Sequence, residues 1–148
     1  MVINKLIDED FVNYKKPAMV IGFPHCTFKC DRECGMCVCQ NSALAKAQTL
    51  DVNISSIITR YMENPLTSAV VLQGLEPLDD MVQLEDFILS FREHSSDDVV
   101  VYTGYNRDES KFKEFFNWVV NNSLKRVVIK YGRFIPNRPS FYSKVLGI

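Results

Sequence analysis

The sequence predicts an α/β fold with a parallel sheet assembled from repeated βα units. Short apolar, β-branched runs alternate with longer segments whose apolar residues recur every three or four positions. The order strand, helix, strand, helix, strand, helix, strand calls for right-handed crossovers between parallel neighbours. The chain has 148 residues, enough for one core and too few for an eight-unit barrel of about 250 residues. Residues 1–148 are therefore expected to form a single domain.

Ala18 to Phe23 is an apolar run ending at Pro24, the length of a buried strand. From Val52 to Glu63, apolar Val52, Ile54, Ile57, Ile58, Tyr61 and Met62 define an amphipathic helix, with Asp51 as the expected cap and Pro65 beyond its end. Ser68 to Leu72 reads as the second strand, broken by Gln73-Gly74-Leu75-Glu76-Pro77. Met81 to Arg92 carries Met81, Leu84, Phe87, Ile88 and Phe91 at helical spacing. It leads into a third strand, Val99 to Tyr102, stopped at Thr103-Gly104. A third helix runs from about Asp108 to Asn121 on Phe112, Phe115, Phe116, Val119 and Val120, and Arg126 to Tyr131 supplies the fourth strand before Gly132. Ligands of such sheets sit at the carboxyl ends of the strands, so the loops beginning at Pro24, Gln73, Thr103 and Gly132 are expected to converge.

With 17 Lys+Arg against 18 Asp+Glu the formal charge is -1. The basic footprint of a nucleic-acid or anionic-membrane binder is absent. No apolar stretch approaches the roughly 18 residues of a membrane span, and Met1 to Lys5 followed by Asp8, Glu9 and Asp10 lacks a signal-peptide layout, so a cytoplasmic protein is expected. The five cysteines, Cys26, Cys30, Cys34, Cys37 and Cys39, all fall within one loop after the first strand. That bunching cannot staple the rest of the chain and points to metal or redox chemistry. Tetrahedral zinc is one reading. Structural zinc usually joins two knuckles far apart in sequence, so a compact iron-sulfur cluster suits this loop better.

The sequence resembles the radical S-adenosylmethionine (SAM) superfamily, in particular the small activating proteins of anaerobic ribonucleotide reductase. Their signature is C-x3-C-x2-C after the first strand. Gln73 to Leu78 is similar to their GGEP loop, Val101 to Tyr105 to their YTGY stretch, and Tyr131 to Phe134 to their DGRF stretch. The resemblance implies a partial, truncated TIM-like barrel and a [4Fe-4S] cluster whose fourth iron is open to SAM. Two cysteine triplets compete. Cys30, Cys34 and Cys37 fit the spacing literally, whereas Cys26, Cys30 and Cys39 fit its flanks, with Pro24 before the first and Gln40-Asn41 after the last. The second triplet is preferred, with Cys34 and Cys37 as alternates.

The resemblance further implies SAM contacts from Gly74, through close backbone approach, and from the backbone at Glu76 and Pro77. The plainer reading of these residues is a strand-to-helix turn started by Pro77. Leu75 stands where the family has a second Gly. Thr103 and Gly104 are expected to line the ribose or adenine side, with Tyr102 and Tyr105 stacking or packing. Lys130 and Arg133 are expected either to reach the SAM carboxylate or to be solvated strand-end charges. His25 either tunes the cluster or is incidental. The implied activity is reductive cleavage of SAM to a 5'-deoxyadenosyl radical. It would be fed by a low-potential electron donor and passed to a glycine of a partner such as an anaerobic ribonucleotide reductase. The alternatives are a non-catalytic iron-sulfur or zinc module on the same fold, and a thiol redox protein using Cys34 and Cys37.

Overall fold

The computed structural model describes residues 1–148. Its strands are β1 (Val2–Ile3), β2 (Lys5–Asp10), β3 (Ala18–Phe23), β4 (Leu50–Asp51), β5 (Ala69–Gly74), β6 (Asp98–Tyr102) and β7 (Val127–Lys130). Its helices are α1 (Lys29–Cys34), α2 (Ile54–Glu63), α3 (Met81–Arg92) and α4 (Ser110–Asn121), with short 3-10 turns at Ser42–Lys46 and Pro77–Asp80. The main sheet has the order β2-β3-β5-β6-β7, and β1 pairs separately with β4. β3, β5, β6 and β7 are mutually parallel, as the apolar runs predict.

The sheet is mostly and not wholly parallel, because β2 adds an antiparallel edge on β3. Its sequence, Lys-Leu-Ile-Asp-Glu-Asp, carries the charge of an edge strand and no apolar run. The second parallel strand also runs two residues past Leu72, since Gln73 and Gly74 stay in register with Gly22 and Phe23. Gly74 permits this. Its φ is +113, and a Cβ there would stand 2.7 Å from the Phe23 backbone nitrogen. Helix α2 starts at Ile54 under Asn53, whose side-chain oxygen accepts the Ser55 N–H at 3.0 Å; Asp51, the expected cap, lies in β4.

Strand order never reverses across the parallel strands, so successive crossovers put their helices on the same face. Leu84, Phe87, Ile88 and Phe91 of α3, Ile57, Ile58 and Tyr61 of α2, and Phe112, Phe115 and Val119 of α4 accordingly form one core with Met19, Ile21, Val70, Leu72, Val99 and Val101. The other face, with Ala18, Val20, Ala69, Val71 and Val100, is covered by Tyr14 and Leu146 from two loop segments. No helix is long and apolar enough to cross a membrane.

Asp98, at the start of β6, is 7% exposed and holds this second face together. Its carboxylate accepts the Tyr14 hydroxyl at 3.1 Å and Arg126 Nε at 2.9 Å, and it pairs with Lys16. Burial raises its pKa, but the bonds from Lys16, Arg126 and Tyr14 outweigh this and hold it below the ordinary 3.8. Asp98→Ala is expected to cost about 1–3 kcal/mol, seen as a lower urea midpoint at neutral pH. The ionised, bonded carboxylate stabilises the fold above its unfolded pKa, and that contribution is lost as pH falls through the lower folded value. The gap between wild type and variant should therefore narrow in acid.

Candidate functional site

The loops at the carboxyl ends of β3, β5, β6 and β7 are knitted together by backbone and side chain. Leu75 N–H donates to Phe23 O at 3.0 Å, Thr103 N–H to Lys130 O at 2.8 Å, and Gly132 N–H to Tyr105 O at 3.0 Å. At the centre is Glu76, 5% exposed. Its Oε1 accepts the Thr103 hydroxyl at 2.7 Å and the Leu78 N–H at 3.1 Å, while Oε2 accepts the Gly104 N–H at 2.7 Å. Burial raises its pKa and these three donors lower it; the net direction is up. Glu76 thus caps the turn that Pro77 begins, the plainer of the two readings of this segment, and also ties the β5 loop to the β6 loop.

The cysteine loop lies across this floor. Phe28 adopts the left-handed conformation at φ 51, which costs an aromatic residue about 1–2 kcal/mol, and α1 starts immediately after it. Cys26 and Cys30, on either side of this turn, line one small cavity of about 20 Å³ together with Glu76, Gly104, Tyr105 and Arg133. Cys26 Sγ accepts the Phe28 N–H at 3.2 Å. Burial pushes the Cys26 thiol up to about 11, and it also raises Cys30. Cys39 lies beyond α1 in the same loop and does not line this cavity. Cys39 is positioned by Asp31, whose Oδ1 accepts the Val38 and Cys39 N–H groups at 2.8 Å each. Asn41 completes the crossing by donating Nδ2–H to Gly74 O at 3.2 Å.

Two more carboxylates fasten the loop from outside. Asp79 accepts the Thr27 N–H at 2.8 Å through Oδ2, and the Tyr105 hydroxyl and Lys111 Nζ at 2.6 Å each through Oδ1. Glu109 accepts Lys29 Nζ at 2.9 Å and grips Arg133 with two bonds of 2.7 Å. The Arg133 bonds hold the Glu109 carboxyl down at about 2. Lys29 also stands 4.4 Å from the centre of the Tyr105 ring, so Tyr105 packs between loop and floor.

All five cysteines are free thiols. Cys34 lines a neighbouring cleft of about 130 Å³ with Cys30, Glu33, Arg133, Phe134 and Arg138, and Cys37 is exposed. The family model of the 4Fe-4S single cluster domain matches residues 21–137. The chain belongs to that family. No curated protein and no solved structure matches the chain. In this 4Fe-4S single cluster domain the matched stretch runs from β3 through the cysteine loop to the segment after β7. Domains of this family occur in radical SAM-type proteins.

The donor chemistry fits such a cluster. Thiolates are its ligands, and the loop puts Cys26 and Cys30 on one cavity and anchors Cys39 through Asp31. No three Cys, His, Asp or Glu side chains converge closely enough to hold one ion. A four-iron cube does not require that, because each thiolate binds a different iron. Of the other expected site residues, Glu76, Thr103, Gly104 and Arg133 meet beside the thiols. Gly74 serves the strand contact with Phe23, with its carbonyl turned to Asn41, and Pro77 starts the buried 3-10 turn. Lys130 does not join them: its ammonium lies 5.4 Å from the Tyr102 ring centre, and Tyr102 packs on the far face. His25 is exposed, 3.7 Å from Asp80.

Sequence reasoning missed Asp31, Asp79 and Glu109. Asp31 offered a signal, an acid between two candidate ligands in a loop short of backbone partners. Asp31→Ala is expected to lower iron and sulfide content after anaerobic reconstitution, because Cys39 loses its anchor, whereas Asp31→Asn keeps an acceptor oxygen and retains most of it. Iron and acid-labile sulfide assays of the two variants decide this.

Proposed function

We propose that this chain is a radical SAM activating enzyme. Its cluster, held by Cys26, Cys30 and Cys39, cleaves SAM reductively to a 5'-deoxyadenosyl radical and so generates a glycyl radical on a partner. The partner is most simply an anaerobic ribonucleotide reductase. The observation that carries the reading is the placement of Cys26 and Cys30 beside Glu76 and Gly104, which Thr103 braces through Glu76, at the carboxyl ends of a mostly parallel sheet. When bound and reduced, the cluster supplies one electron to the sulfonium, breaking a carbon-sulfur bond to give methionine and the radical, which takes a hydrogen atom from glycine.

The chain's own part is to orient and to exclude water. Glu76 fixes Thr103 and Gly104 as one rigid wall. Gly104 leaves room beside the thiols, since a Cβ there would meet Glu76 Oε2 at 3.4 Å and Cys30 Sγ at 3.8 Å. The Pro77 turn and the Gly74 crowding set the height of the β5 loop. The barrel reading belongs with this proposal: helices on one face of a short, open, mostly parallel sheet suit a truncated TIM-like barrel that admits a macromolecular substrate. A low-potential electron donor and a cytoplasmic location complete it.

A second reading, a cluster module without SAM cleavage, is favoured by one observation. The cavity beside Cys26 and Cys30 measures about 20 Å³, whereas sites for drug-sized ligands run to about 300–1,000 Å³. Under the first reading the cysteine loop lifts to admit SAM.

The test is anaerobic iron-sulfide reconstitution, then electron paramagnetic resonance of the reduced protein with and without SAM, and assay of 5'-deoxyadenosine. A cluster signal altered by SAM, with nucleoside product, is expected; a cluster blind to SAM selects the second reading. Alanine at Cys26, Cys30 or Cys39 should abolish the signal, and alanine at Cys34 or Cys37 should leave it. The reverse pattern selects Cys30, Cys34 and Cys37.

A further inference from the structure

Arg133 is a tightly held cation beside the cysteine loop. Its side chain is 7% exposed. Both terminal nitrogens are spent on Glu109, at 2.7 Å each, which fixes the guanidinium plane. Of the donors that do not bond Glu109, Nε–H is buried and has no hydrogen-bond acceptor. Glu33 Oε2 stands 3.1 Å from it as an ion pair, outside hydrogen-bond geometry, and Glu33 is itself 59% exposed. A buried donor without a partner calls for an explanation in a native protein, and an acceptor brought by a bound group supplies one. Arg133 lines the cavity of Cys26 and Cys30, and Cys30 and Arg133 also share the adjoining cleft.

We infer that Arg133 is a positioning residue that raises the reduction potential of the cluster, directing its Nε–H and its fixed charge at the sulfur on the Cys30 side. The inference rests on the proposed cluster at Cys26, Cys30 and Cys39. Reduction adds one electron, from an external low-potential donor, to a group already ligated by thiolates. A nearby cation and an N–H···S bond stabilise the reduced form more than the oxidised one. The alternative role, gripping the SAM carboxylate with two parallel bonds, would require breaking the paired bonds to an ionised Glu109. The Nε–H is the donor free without that loss.

The experiment is a redox titration of the reconstituted holoprotein in the absence of SAM, followed by electron paramagnetic resonance of the reduced protein without and then with SAM, on wild type, Arg133→Gln and Arg133→Lys. Arg133→Gln should shift the reduction equilibrium about tenfold toward the oxidised form, about 59 mV lower for one electron. Arg133→Lys, which keeps the charge and loses the oriented Nε–H, should shift the same way by about threefold, and it carries the test if the glutamine variant takes up no cluster. Unchanged midpoints, with a weakened SAM-induced spectral change, would assign Arg133 to SAM and overturn the inference. A wild-type protein that forms no [4Fe-4S] signal would overturn the cluster reading itself, a result visible before any variant is compared.

Discussion

The buried carboxylate of Glu76 is the constraint on which the site depends. A carboxylate at this depth is costly unless its lone pairs are filled, and here a hydroxyl from Thr103 and N–H groups from Gly104 and Leu78 fill them. The same bonds that make the burial tolerable join the ends of β5 and β6 into one surface. Asp79 and Glu109 repeat this device further out, each drawing donors from the cysteine loop and from the elements beneath it. The loop is thus held from the α/β scaffold by two acids, Asp79 and Glu109, and its cysteines ride on that frame. The thiol-rich segment holds its course because its backbone and its lysine answer to carboxylates.

β3, β5 and β6 were legible because each is an apolar run buried on both faces, Ala18–Phe23 most plainly, and the edge strand β7 because it is a short β-branched run. β2 was not, since Lys5, Asp8, Glu9 and Asp10 give an edge strand the composition of a loop. Helix α1 was hidden for a related reason: Lys29–Cys34 has no buried residue, so no apolar periodicity marks it. The convergence of the four loops followed from topology. The acids that enforce it did not, because Asp31, Asp79 and Glu109 act through backbone N–H groups and distant cations that no local pattern displays. Gly74 was noticed for close backbone approach, and the neighbour it approaches in the fold is the Phe23 backbone. Lys130 fell on the far face by strict alternation: Ile129 packs with the helices, so the next side chain cannot.

The chemistry around the thiols is consistent with a site kept dry and reduced. Burial raises Cys26 and Cys30, so in the free protein they carry protons that a metal must displace. Arg133 and Lys29 supply positive charge beside them, balanced by Glu109 and Glu33.

The central claim is that Cys26, Cys30 and Cys39 hold one [4Fe-4S] cluster with an iron left open above the strand ends. Mössbauer spectroscopy of holoprotein reconstituted with iron-57 tests it most directly. The account predicts a cubane spectrum in which one iron of the four separates from the other three when SAM is added. Four irons that remain equivalent with SAM, or a mononuclear iron-thiolate spectrum, would contradict it.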